Sequence, residues 1–519
     1  MRLRIILVAI CLLCTSPAFA EDLYYAEAQA GDFSGSSCAN AIALSAIQWG
    51  DGAGKVSAGD TAHLCGTINI AANTVGLTVG ASGTEGNVIT IKFEDDAILT
   101  SPQFHTNGAI YASAKDYITI DGGTNGIIRN TDNGTGLTYH TASTGVKYSG
   151  SYSTIKNLTI TDIYHNDGHD SGATDTGGAS TWAIQVTSTA SGNITIQNNY
   201  TEQARAGIVF SYAGNGGVNI DIDSNTTVNH CWHHYITCND GDAPSIDNFN
   251  IHGNDISSWY DWGYPAATYH QDGIMISGNG VADETPLNVY GNKIHGNLAG
   301  GSVTASIYCT YGASSYPGPR VNIYNNLIVA EDGGNMTGPS LAGGNTYNIY
   351  NNTIILNPNK TNAGIMGGGG VSNFSTLNIV GNLVMYAVQG VMSPSSVNYH
   401  LGTVDYNLWY EITKWSDVEN LVYRLTFEAW QGAGYDVNGY YENPNLTASY
   451  HLQSTSGNAK EGGADLSGTF TTDYAGDTRT VPWSIGAYEY RTVPNISNFG
   501  TGAITITPNN AGAIAVTPY

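Results

Sequence analysis

VNIYNNLIVA, residues 321–330, decides the fold. Val321 and Ile323 alternate with Asn322 and Tyr324 at a period of two, the spacing of a strand with one buried face. Two asparagines break the run, and a second apolar stretch, Leu327-Ile328-Val329, follows at once. The unit recurs as ITIQNN (194–199), IDIDSN (220–225), FNIHGN (249–254), LNVYGN (287–292), YNIYNN (347–352) and LNIVGN (377–382). The closing residues Asn199, Asn225, Asn254, Asn292, Asn326, Asn352 and Asn382 lie 26, 29, 38, 34, 26 and 30 residues apart. TIKN at Asn157 and DYN at Asn407 extend the series.

Further short apolar runs come later in each unit: Gly207–Phe210, Tyr235–Thr237, Gly273–Ile276 and Ala305–Tyr308. Short strands punctuated by Gly, Asn and Asp every 25–40 residues describe a coiled solenoid, and almost nothing reads as helix. One coil cannot bury its inward face alone. Stacked coils do so together, each strand pairing with its equivalents above and below. Asparagine suits the repeated corner because it tolerates left-handed backbone and its amide reaches the asparagine of the next coil. The repeated asparagines are therefore structural.

These units resemble the right-handed parallel β-helix proteins of the pectate-lyase-like superfamily, over roughly Val88 to Asn407. The implied fold is all-β, a right-handed parallel β-helix solenoid with N- and C-terminal caps. The expected division is signal peptide 1–20, N-terminal cap and first coils 21–87, β-helix 88–407, C-terminal capping region 408–490 and tail 491–519. Residues 426–490 resemble the C-terminal, choice-of-anchor-type region of secreted bacterial β-helix proteins, which ends in D-x-x-G-x-x-R…DIGAYEY. Asp473, Gly476, Arg479 and Ile485-Gly486-Ala487-Tyr488-Glu489 fit that pattern, with Ser484 where Asp is usual. Tyr423–Gln431 is the one stretch with an amphipathic helical pattern.

Arg2 and Arg4 precede the apolar run Ile5–Leu13, and Ala18-Phe19-Ala20 closes it, so residues 1–20 read as a secretory signal. The expected location is secreted, at the cell surface or outside the cell, with the periplasm as the alternative. Without the signal the chain carries 15 basic against 42 acidic residues, a net of −27. Such a field excludes nucleic acid and is awkward for polyuronates. No later run is long and apolar enough to span a bilayer. A divalent cation would offset the field, so calcium is the cofactor to consider. Five cysteines remain beyond the signal: Cys38, Cys65, Cys231, Cys238 and Cys309. Cys38–Cys65 is the preferred bridge, and no spacing suits zinc.

Aligning the apolar runs places Ala206, His233, Asp272 and Ala305 in one column at the mouth of successive strands. Arg205, Trp232, His234 and His270 fall beside it. His230, His233, His234, His252 and His270 crowd two consecutive coils. His233, His270 and Asp272 are thus the candidate acid/base groups, with Arg205 to orient a substrate. The longest interval carries SSWYDWGYPAATYHQDG. Trp259, Tyr260 and Trp262 there, with Trp232 nearby, would stack on sugar rings, and Asp261 adds a carboxylate. A second insertion, residues 164–178, offers His165, Asp167, His169, Asp170 and Asp175 as a solvated loop or a metal site. The catalytic signatures of the superfamily do not transfer. Asn130-Thr131-Asp132 follows Asp95-Asp96, the reverse of the polygalacturonase order, and Arg-x-Lys is absent.

The expected role is a secreted protein that binds or processes a polysaccharide or cell-surface glycan in a groove along the solenoid, as a lyase or glycosidase if catalytic. The alternative is a non-catalytic adhesin or structural surface protein.

Overall fold

A computed structural model describes residues 20–166, 180–188, 192–212, 218–238, 246–259, 271–278, 286–298, 304–311, 320–331, 336–342, 346–359, 362–367, 375–392, 399–417, 422–491, 506–508 and 514–516. The expected signal segment, up to residue 19, lies outside them. Among the described residues the strands form three long parallel sheets, called A, B and C, of 14, 13 and 11 strands. Each coil visits them in that order, as in Gly192–Gln197, Tyr200–Glu202 and Ala206–Tyr212. The next coil repeats the course with Val218–Asp223, Thr226–Val228 and Trp232–Cys238. Each strand pairs in parallel with its counterpart one coil away. This is a parallel β-helix. Pairing reaches back beyond Val88, because Asp22–Ala26 and Thr61–Leu64 already belong to sheet A.

The quoted decapeptide supplies one A strand, Val321–Tyr324, and one B strand, Leu327–Ala330. Between them Asn325 takes φ of 54° and Asn326 is fully buried. The backbone N–H and Nδ2 of Asn326 donate to Asn352 Oδ1 at 3.0 and 2.9 Å, and Nδ2 also donates to the Val289 carbonyl at 2.9 Å. The same two-bond rung repeats from Asn199 to Asn407. At the last coil an acid takes the place of asparagine. Asp436 Oδ1 accepts from Asn407 N and Nδ2, while Oδ2 accepts the indole N–H of Trp409 and of Trp430, both at 2.9 Å.

The inward column of sheet B reads Ile68, Leu99, Ile128, Ile160, Thr201, Thr227, Ile256, Ile294, Ile328, Ile354, Val384 and Trp409, all buried. Two threonines interrupt an otherwise apolar stripe. Their reason appears at the next corner of the coil.

The ends are closed differently. At the N-terminal end Cys38 and Cys65 are disulfide-bonded. At the C-terminal end a short helix, Phe427–Gly432, packs Phe427 and Trp430 onto Trp415. It starts later than its pattern suggests, because Thr426 caps it by accepting from Ala429 N at 3.2 Å and Tyr423 joins a strand instead. The segment after it first covers the end, with Asp436 closing the ladder and Tyr440–Tyr441 adding the last strand of sheet B, and then runs back along the solenoid. Arg479 donates to Asn325 Oδ1 at 2.8 Å and to the carbonyls of Gly486 and Ala487. Asn351 Nδ2 donates to the Ser484 carbonyl, and Ile485 and Ala459 pack against Leu383, Met385 and Leu408 on the outer face of sheet B. The D-x-x-G-x-x-R…IGAYEY residues thus hold this lobe against the last coils. Among the described residues, no helix is long and apolar enough to cross a membrane.

Candidate functional site

The strands of sheet C begin just after the corner that follows sheet B. A register row near their start runs Thr144, Trp182, Ala206, Trp232 and Asp272. Two residues on, the inward column is Val146, Ile184, Ile208, His234, Ile274 and Ile307. The expected column therefore needs correction: Trp232, not His233, stands beside Ala206 and Asp272. His234 takes an inward position elsewhere filled by an aliphatic side chain, so alignment by apolar residues slips by one. In a strand such a slip reverses every side chain.

His233 is fully buried and its ring is committed to the scaffold. Nε2 donates to the Ser258 carbonyl at 3.1 Å, and Nδ1 accepts from the Thr227 hydroxyl at 2.9 Å. His230, at the preceding corner of the same coil, reaches into the coil below, with Nδ1 donating to the Ala204 carbonyl at 2.6 Å and Nε2 accepting from Thr201 at 3.0 Å. The two threonines in sheet B are the hydroxyl partners these neutral imidazoles need. Burial drives the His230 pKa down to about 4. It drives His233 well below the usual range, helped by the charges of His230 and His234. His234 falls to about 3, again by burial first, and among the described residues neither of its ring nitrogens has a hydrogen-bond partner. All three rings are buried in the core, where desolvation favours their neutral form.

Trp259 also differs from expectation. It is 1% exposed and packs edge-on against His233 at 4.8 Å. Ser258 precedes it with φ of 58°, which turns the ring inward, so Trp259 offers no face to a sugar. His252 sits on the outer face of sheet A, with Nε2 at 2.8 Å from Asp221 and Nδ1 at 3.2 Å from Asp223. Burial pulls its pKa down, but the Asp221 hydrogen bond and the charges of both aspartates outweigh this and raise it. The crowding of histidines in sequence thus divides between the core and a remote face. His270, Tyr260, Asp261 and Trp262 lie outside the described residues.

An aromatic platform at the head of sheet C does remain. Arg205 places its guanidinium 4.6 Å over the Trp232 ring, and Trp232 stacks on Tyr235 at 4.9 Å. Ala206, Val209 and Cys231 are buried in the same cluster, with Trp182, Tyr235 and Met275 half-buried around it. This cluster is distinct from the lumen of the solenoid. Asp272 joins its row and is fully buried, with Oδ1 accepting from Ala305 N at 3.3 Å. Trp182 and Tyr235 are the members the sequence did not single out. Their signal was the register, since Trp182, Ala206 and Trp232 share a row. Among the described residues no group of three or more His, Cys, Asp or Glu side chains converges to hold a metal ion.

No protein-family model matches this chain, and no curated protein matches it. Among solved structures it is similar to the crystal structure of pectate lyase Pel9A, with 12% identity over 91% of this chain and 97% of that one and a TM-score of 0.36. The parallel β-helix stands on the strand ladders themselves.

Proposed function

We propose that this chain binds a polysaccharide along the flank of the solenoid, with half-buried Trp182 and Tyr235 as the stacking surface and with buried Trp232 and Arg205 as its rigid backing. The observation that carries this reading is the layered Arg205–Trp232–Tyr235 stack at the head of sheet C. A guanidinium spread over an indole is held in one orientation and in turn holds the ring beneath it, so the aromatic cluster is rigid before any ligand arrives. Half-buried Trp182 and Tyr235 supply apolar ring area beside it at low entropic cost. Should the chain also cleave its glycan, proton transfer falls to Asp272 and His270, since His233 is occupied by Thr227 and Ser258.

The test is a panel of neutral and acidic oligosaccharides titrated against the wild type, Trp182→Ala and Tyr235→Ala. Each titration is paired with assays for unsaturated products and for reducing ends, with and without calcium. Loss of tenfold or more in affinity for both variants is expected. Binding that survives both substitutions unchanged sinks the platform. Release of products that disappears in Asp272→Ala selects the enzyme over the adhesin.

A further inference from the structure

Two sequence features that the platform does not use, Asn130-Thr131-Asp132 and the start of the His165 insertion, meet in space. Ile127–Asn130 and Thr159–Thr161 are neighbouring strands of sheet B, and the residues that follow each form the corner leading to sheet C. A parallel bridge between Gly134 and His165 ties the two corners together. Between them opens a cleft of about 440 Å³, lined by Arg129, Thr131, Asp132, Leu137, Asp162 and His165 among others. That volume lies within the range of small-ligand sites.

We infer that this cleft is a further sugar subsite, which receives a neutral, hydroxyl-rich pyranose unit of the same glycan chain that crosses the platform. The inference rests on the polysaccharide reading above and extends it toward the N-terminal coils. The location comes first. Asp162 and His165 belong to the coil that continues into Thr181–Ser188, where the platform begins at Trp182. Trp232 stands two coils further on, and coils stack about 4.8 Å apart. Cleft and platform therefore follow the same corner of the solenoid, in line with its axis, at a separation that a short oligosaccharide spans.

The lining chemistry selects the ligand. Arg129 lines the cleft and is exposed, so its donors can reach a ligand there. Asp132 is held in place by its own turn, since Oδ1 accepts from Thr138 N at 3.0 Å, and hydrogen bonds from Thr138 keep its pKa below the usual carboxylate value. Asp162 faces His165 at 3.6 Å. Two carboxylates thus oppose one guanidinium and one imidazole, which leaves no excess positive charge to draw a uronate into a chain of net charge −25. Fixed carboxylates are acceptors for hydroxyls, and Arg129 donates to hydroxyl or ring oxygens. Leu137 offers the one apolar wall, suited to the C–H face of a ring.

The test uses the full chain and a length series of the neutral oligosaccharide that binds best in the panel. Arg129→Gln and Asp132→Asn keep size and a hydrogen-bonding group, and unchanged circular dichroism and melting temperature would show both variants folded. Each substitution is expected to weaken the longer oligosaccharides by about tenfold and to leave the shortest platform-bound ligand unaffected. Wild-type affinity should accordingly step up with length, and the step should vanish in both variants. Equal affinity of the wild type and both variants at every length overturns the subsite while leaving the platform standing. A wild type that binds nothing, or loses nothing in Trp182→Ala, overturns the platform and the subsite together. Preference of the cleft for uronate oligomers, abolished in Arg129→Gln, overturns the neutral-sugar assignment.

Discussion

Replacing His234 by isoleucine should stabilise the protein, and by more at pH 5 than at pH 7. The position lies in the inward column of sheet C between Ile208 and Ile274, and it is fully buried. Among the described residues neither ring nitrogen has a partner, so at neutral pH the native protein carries an unmet desolvation cost of roughly 1–3 kcal/mol there. Isoleucine removes that cost and continues the stripe. The pH term adds to it. With a folded pKa of about 3 against about 6.5 in the unfolded chain, His234 takes up its proton only after unfolding. The unfolded state therefore binds more protons between these values, and stability falls as pH drops through 6.5. Between pH 7 and pH 5 the loss is roughly 2 kcal/mol for this one histidine. His230, with a folded pKa of about 4, adds a loss of similar sign and size, and His233 acts in the same direction. His252 opposes them. Its pKa is raised, so its contribution is present below the unfolded value and fades as pH rises through the folded one. One half-buried group should not outweigh three buried ones. Urea unfolding at pH 7, 6 and 5, with hydrogen exchange over residues 226–238, checks the sum. Isoleucine that destabilises the protein at pH 7, or leaves the pH slope unchanged, would refute the account of His234 as a neutral, unpartnered core residue.

Thr227→Val should cost about 1–3 kcal/mol in urea unfolding, because it leaves His233 Nδ1 buried without its donor while keeping the side-chain shape. Asp436→Leu should cost about 3 kcal/mol or more, since it strands the Asn407 amide and two indole N–H groups at once. A red shift and rise in solvent quenching of tryptophan fluorescence would locate that damage at the C-terminal end. Arg479→Ala should loosen the lobe from the solenoid, so limited proteolysis is expected to cut within residues 442–490 much faster while the coils resist. Reduction of Cys38–Cys65, 27 residues apart, should lower stability by roughly 3.5 kcal/mol on the loop-entropy estimate, read as a lower melting temperature in dithiothreitol.

The solenoid was legible because its signals are local and repeated. A period-two strand followed by asparagine marks each sheet A strand and the corner after it, and the ladder from Asn199 to Asn407 follows that spacing. The Cys38–Cys65 bridge was likewise within reach of the sequence. The site was less so. Sheet C strands carry weaker alternation, and the substitution of His234 for an aliphatic residue disguised their register. Inward polar residues are rare enough that a buried histidine resembles a rim histidine until its partner is found. That partner, Thr227, lies in another sheet of the same coil, where it appears in sequence only as an interruption of an isoleucine stripe. Asp132 and His165 stand far apart in the chain and meet only because successive coils place them on one corner.

The asparagine ladder has a direction and a stop. Every rung from Asn199 onward accepts from one neighbour and donates to the next, whereas Asp436 accepts only and spends its second oxygen on two tryptophans. The solenoid is in this respect a polymer with a chain-terminating unit. Whole coils inserted or excised between two ladder asparagines leave every remaining rung with the same kind of partner, and the terminator still finds an asparagine to accept from. The length of the flank is therefore a separable trait over the coils that the C-terminal lobe does not grip, free to change there by duplication.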